Sequence, residues 1–210
     1  MAAPTSVKTF RSQTFTSPAV RAVFPDLNAP DKFGSYKISV DVLDKPEFKA
    51  LLEKQAAETV TAGQIKLEVK KKPTNELFKQ GEYKDTPFER VSFKMKADTT
   101  RKGKPVKQAP RLVDAARNPM SEVVFGGSLV KIAYYFQYTL TPTGTFISPK
   151  LVAVQVLEHV GPGGDVSVDK MFDEEEGFST SGESPVTGTD EDNSEGTQAG
   201  TEGVTSGRDF

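Results

Sequence analysis

Apolar and polar residues alternate in three stretches of the chain with the two-residue period of half-buried strands. In residues 36–43, Tyr36, Ile38, Val40 and Val42 fall on one side and Lys37, Ser39 and Asp41 on the other. In 90–97, Val91, Phe93, Met95 and Ala97 oppose Arg90, Ser92, Lys94 and Lys96. The longest run, 128–140, sets Val130, Ile132, Tyr134, Phe136, Tyr138 and Leu140 against Lys131, Ala133, Tyr135 and Gln137. That register assigns Tyr134, Phe136 and Tyr138 to the core and leaves Tyr135 outside, beside Lys131. Residues 150–157 are nearly all apolar, as expected of a strand buried on both faces. Residues 19–24 and 65–69 read as two shorter strands.

One segment has helical spacing. Pro46 suits a first helical turn, and Phe48, Leu51, Leu52 and Gln55/Ala56 follow at helical intervals through 47–59. The remainder of 1–34 is rich in Pro, Ser and Thr, while 73–87 and 99–108 read as a polar and a basic loop. Pro142 to Gly144 marks a turn, and Gly161 to Gly164 marks the end of the folded part. After Phe172 the chain consists of Gly, Ser, Thr, Glu and Asp with almost nothing to bury. Such a segment cannot offset the entropy of ordering and is expected to be disordered. The pattern therefore predicts a mainly β domain over 1–165, with five or six strands and one helix in a small barrel or sandwich, and a disordered acidic tail over 166–210.

Composition narrows the chemistry. The hydrophobic fraction of 36% agrees with a partly unfolded chain. There is no cysteine, hence no disulfide and no thiolate metal site, which fits a reducing cytosol. His159 is the only histidine and has no second His or Cys with which to build a metal site or a nucleophile–base pair. A structural or surface role is expected for it. The glycine pairs at 126–127 and 163–164 lack the Lys-Ser/Thr of a phosphate loop and read as turns. The acidic run 173–176 reads as solvated carboxylates. An enzyme, a metal and a cofactor are thus not expected, and no apolar run reaches signal-peptide or membrane-spanning length.

Charge is distributed unevenly. Residues 173–210 hold eleven acidic residues and one basic residue, a net −10. Removing them from the chain totals of 27 basic and 29 acidic residues leaves 26 and 18, a net +8. Between Lys66 and Arg111 there are fourteen basic and six acidic residues, again +8. The positive excess of the body lies in that central segment, and such a local field attracts a polyanion.

Proteins that grip single-stranded nucleic acid combine a cationic groove with aromatic platforms, because every base has a face on which to stack. The candidates of that kind are Lys94 and Lys96 on one strand, Lys131 and Tyr135 on another, and the loop cations Arg101, Lys102, Lys104, Lys107 and Arg111 between them in sequence. The tail ends in Asp209 and Phe210, an aromatic residue with no core to join. It reads as a docking peptide whose carboxylates can also occupy the protein's own basic groove. Two other readings stay open: an acidic-tailed protein-interaction scaffold, and an RNA-binding protein.

The stretches SYKISVDVL followed by a helix, VSFKMKAD, FGGSLVKIAYYFQYT, LVAVQVLEHVGPGG and the terminal Asp-Phe stand in an order that resembles the single-stranded DNA-binding proteins of short-tailed bacteriophages that encode their own replisome. The resemblance covers about residues 20–165 and the last two. It implies an OB-fold, a five-stranded barrel with one packed helix, and an acidic C-terminal tail. It also implies a homodimer in the cytoplasm of the infected bacterial host that protects and anneals single strands in replication and recombination. The tail would recruit the phage DNA polymerase and helicase-primase. This tail is less densely acidic than the family's, and residues 99–111 are hard to align with it, so their contacts rest on charge alone.

Overall fold

The computed structural model describes residues 7–101 and 103–162, Arg101 through its backbone only. The expectations for Lys102, the boundary at 165/166, the tail 166–210, and Asp209 and Phe210 lie outside the described residues.

In chain order the elements are β1 (Lys8–Thr16), β2 (Val20–Arg21), β3 (Val23–Asp26), β4 (Ser35–Asp41), α1 (Pro46–Leu67), β5 (Lys79–Tyr83), β6 (Thr86–Lys96), β7 (Asp98–Arg101), β8 (Lys104–Lys107), β9 (Arg111–Val113), β10 (Leu129–Thr141) and β11 (Gly144–Glu158). The long strands give the sheet order β1-β10-β11-β6-β4, with β3 beyond β4. β2, β5 and β9 attach to β10, β6 and β11, and β7 and β8 form a separate hairpin. The sheet is larger than the five-stranded barrel expected, because short edge strands extend a wall built by five long ones. It curls into an OB-like half-barrel with one helix.

Alternation creates the curl's two faces. Val91 and Phe93 of β6, and Val130, Ile132, Tyr134, Phe136 and Tyr138 of β10, are fully buried. Tyr134 packs at 4.8 Å from Phe93 and edge-on at 5.8 Å from Phe136. The intervening residues Ser92, Lys94 and Lys96, and Lys131, Tyr135 and Gln137, occupy the outer face.

α1 closes the inner face. Its buried residues Phe48, Leu52, Gln55, Ala56, Thr59 and Gly63 form one stripe. Gln55 is polar but satisfied: its Oε1 accepts a 2.7 Å hydrogen bond from the Tyr134 hydroxyl. Gly63 lets the helix lie against the Tyr138 ring, where a Cβ would come within 2.6 Å of Cδ1. The Tyr138 hydroxyl then reaches over to donate to the Lys71 carbonyl at 2.6 Å.

Several local expectations are corrected. The helix continues past Thr59 to Leu67 and so absorbs Ile65, which was expected in a strand. It ends with Glu68 in the left-handed conformation, where the Val69 N–H bonds to Gln64 O and the Glu68 N–H to Ile65 O, satisfying the last carbonyls. Residues 79–83, 99–101 and 104–107, expected within loops, belong to strands. The N-terminal region holds β1 before the segment expected to be its first strand. β11 is buried mainly on one face, with Val152, Ala153 and Leu157 half-buried.

Candidate nucleic-acid interface

The outer face of the half-barrel is built from the polar halves of the alternating strands. Lys37 of β4 pairs with Lys94 of β6, Lys94 bridges to Lys150 of β11, and Lys150 pairs with Tyr135 of β10. Three lysines and a tyrosine therefore form one row across four strands. The neighbouring position on β1 adds Arg11, paired with Gln137. Its guanidinium carbon lies 3.7 Å from the Tyr135 ring centroid, a cation–π stack.

These residues line a groove of about 460 Å³ walled by Arg11, Lys94, Lys96, Tyr135, Gln137 and Lys150, with Thr99 and Gln108 at the foot of the β7–β8 hairpin. Gln108 fixes that foot through hydrogen bonds to the carbonyls of Lys96 and Ala97, both 2.8 Å. A second cleft of about 370 Å³ opens on the other side of Lys94, lined by Arg90, Ser92, Phe78 and Ser148.

The groove is electropositive and only partly relieved. The four ion pairs among the described residues are Arg21–Glu158, Lys37–Asp26, Lys49–Glu89 and Arg90–Asp41. Arg11, Lys94, Lys96 and Lys150 have no carboxylate partner among those residues. Lys96 Nζ donates to the Phe33 carbonyl at 3.2 Å. Burial, reinforced by the charges of Lys94 and Lys96, holds the Lys150 ammonium below its ordinary pKa. A cation held in this way stays poorly compensated until an anion arrives, the kind of perturbed group that marks functional sites.

The expected site residues divide. Lys94, Lys96 and Tyr135 are brought together in the groove. Lys131 and Arg111 lie further along the same face, exposed; Arg111 is level with Ala153, which in turn pairs with Ala133. Arg101, Lys104 and Lys107 belong to the β7–β8 hairpin, which turns through Gly103 at φ 77°. Lys104 and Lys107 are exposed and outside the groove wall.

Arg11 and Lys150 were not anticipated. Arg11 sits in a Ser/Thr-rich stretch whose alternation is broken by a bulge between Arg11 and Thr14. Lys150 is one cation at the start of an apolar strand, and only the closure of β11 onto β6 makes it a neighbour of Lys94. His159 is exposed, with Nε2 2.9 Å from the Val123 carbonyl oxygen. Among the described residues no cluster of three or more His, Asp or Glu is placed to hold a metal, and no helix is long and apolar enough to cross a membrane.

No protein-family model and no curated protein matches the chain. Solved structures do. One is gp2.5, a single-stranded DNA-binding protein encoded by bacteriophage T7, with a TM-score of 0.56 and 21% identity over 80% of this chain and 99% of that one. Another is the single-stranded DNA-binding protein of bacteriophage Enc34. Its complex with single-stranded DNA aligns with a TM-score of 0.52 and 17% identity over 72% of this chain and 89% of that one. Without DNA it gives 0.51 and 16% over 75% and 88%. The resemblance read from the sequence motifs thus extends to the fold.

Proposed function

We propose that the chain binds single-stranded DNA along the outer face of the half-barrel, with little sequence preference. The row Lys94–Lys150–Tyr135, flanked by Arg11 and Lys96, carries this reading. It unites phosphate-binding cations that have no described carboxylate partner with an aromatic face on which a base can stack. One face of Tyr135 is covered by Arg11, so a base stacks on the other and meets a ring already held in place. Lys131, Arg111, Lys104 and Lys107 extend the phosphate track beyond the groove, and Arg101 and Lys102, next to Lys104 in sequence, add positive charge for the same ligand. The fold shared with two phage single-stranded DNA-binding proteins supports the choice of ligand.

The reading extends to a role in phage DNA replication and recombination, with protection and annealing of single strands by a non-enzymatic homodimer in the host cytoplasm. The tail 166–210 would recruit the phage polymerase and helicase-primase through Asp209 and Phe210. Its net charge of −10 against +8 in 66–111 makes it a tethered competitor for the groove.

The first experiment is a titration of labelled single-stranded and duplex oligonucleotides at two salt concentrations. Preference for the single strand is expected, with log affinity falling by about 0.7 per phosphate contact for each tenfold rise in salt. Equal affinity for duplex, or a slope near zero, would overturn the reading. For the tail, removal of 173–210 is expected to tighten DNA binding most at low salt. Phe210→Ala should leave DNA affinity unchanged and weaken polymerase pull-down.

A further inference from the structure

Phe24 is an exposed phenylalanine in an unfavourable backbone conformation. Its side chain is large and apolar, yet the residue is 58% exposed. Its φ is 46°, in the left-handed region that ordinary residues avoid. The cause is local: β3 pairs with β4 at Val23–Ser39 and at Asp26–Lys37, and the register slips between them. The bulge turns the Phe24 ring onto the outer face, 5.3 Å from the guanidinium carbon of Arg90. Arg90 also lies 3.9 Å from the Phe88 ring centroid, and Phe88 packs over Gly81. Strain retained at an exposed aromatic residue, with little burial to offset it, is a feature of functional positions.

This cluster belongs to the same surface as the Tyr135 groove. Arg90, Ser92, Lys94 and Lys96 alternate on the outer face of β6, and the second cleft runs from Lys94 to Arg90. Two strand spacings and four residues of rise separate Tyr135 from Arg90, roughly 16 Å along the sheet. A stacked single strand covers that distance in about five nucleotides. Arg90 is partly neutralised by Asp41, 3.5 Å from Nε, so the cluster offers stacking more than charge.

We propose that Phe24, braced by Arg90 and Phe88, is a second base-stacking platform, reached by the single strand after it passes Tyr135 and Lys94. This rests on the single-stranded DNA reading and assigns its path across β6 towards β3.

The test uses the full chain and oligothymidylates of about four and about sixteen nucleotides, the limits of what one OB-fold engages. Phe24→Ala is expected to weaken binding of the longer oligonucleotide about 5- to 150-fold. It should leave the shorter one and the salt slope unchanged. The chain has no tryptophan, so Phe24→Trp introduces a single indole whose emission should be quenched by the longer oligonucleotide. Phe24→Gly relieves the backbone and should match the Phe24→Ala binding loss with no fall in melting temperature. Unchanged long-oligonucleotide affinity, an unquenched indole, equal losses at both lengths, or a lowered melting temperature for Phe24→Gly would each overturn the assignment. Tyr135→Ala, measured in parallel, shows whether the underlying reading survives such a failure.

Discussion

The Tyr134 hydroxyl donates to Gln55 Oε1 at 2.7 Å inside the barrel, while the next residue, Tyr135, turns its ring outward beneath Arg11. Adjacent tyrosines on one strand thus face opposite environments, and burial raises the Tyr134 phenol to a pKa of about 12. The two should respond oppositely to truncation. Tyr135→Ala is expected to leave the melting temperature nearly unchanged and weaken single-stranded DNA binding by about 1–3 kcal/mol. Tyr134→Ala should instead destabilise the fold by about 3–5 kcal/mol, as for other large aromatic core residues. Thermal melts and oligonucleotide titrations of the pair check the assignment; a folded Tyr134→Ala protein that has lost DNA binding would place the wrong ring in the groove.

Lys150 sets stability against binding. A lysine whose folded pKa is depressed destabilises the fold while charged, and stability recovers as pH rises from the folded value towards the ordinary 10.5. Lys150→Met keeps the length and removes the charge. It is expected to raise the melting temperature at neutral pH and reduce the salt slope by about 0.7, one phosphate contact. A lower melting temperature would show that the ammonium is compensated in the free protein.

The buried carboxylate of Glu89 shares that pH sign, stability rising with pH, but here the charged form stabilises the fold instead of opposing it. Lys49 Nζ donates to both its oxygens at 3.0 and 2.8 Å, and Gln80 Nε2 adds a third hydrogen bond at 3.0 Å. The Lys49 bond, then that from Gln80, hold the carboxyl below its ordinary 4.5. The stabilisation is present above that ordinary value and is lost as pH falls through the lower folded one. Glu89→Gln should be less stable at neutral pH, and its stability should decline less on acidification below 4.5. Denaturant melts across pH measure this, and parallel acid profiles for the two proteins would refute it.

Gly63→Ala separates propensity from packing. Alanine in a helix interior is worth about 1 kcal/mol over glycine. Here the added methyl meets the Tyr138 ring at 2.6 Å, and that ring is tied by its hydroxyl to Lys71. Overpacking of this kind costs about 1–3 kcal/mol, so a net loss of stability is expected. An unchanged or raised melting temperature would show that α1 can move away from the sheet.

Most of the barrel was legible because strands with one wet face record it in sequence. The run 128–140 placed the side chains it assigned, Val130 to Tyr138 and Leu140, on their observed faces, Tyr135 included. The helix beyond Thr59 was not legible because its buried positions from there on, Thr59 and Gly63, carry no apolar signal, and Gln55 before them is polar as well. Gln55 earns its place only through Tyr134, a contact distant in sequence. β1 was hidden by its bulge, which puts the inward-packed Phe10 and Phe15 an odd number of residues apart. The groove was half legible for a related reason. Lys94, Lys96 and Tyr135 lie on alternating strands, whereas Lys150 joins them through a parallel bridge that no local pattern encodes.

That bridge has a mechanical consequence. β11 and β6 are pinned together through a single bridged pair, Lys150 and Lys94, two like charges. A cask whose last two staves repel each other at their only nail gapes there first. A polyanion laid across the joint reverses the repulsion and acts as a hoop. The empty protein should therefore exchange amide hydrogens fastest along this seam, and the loaded protein should tighten there more than anywhere else in the wall.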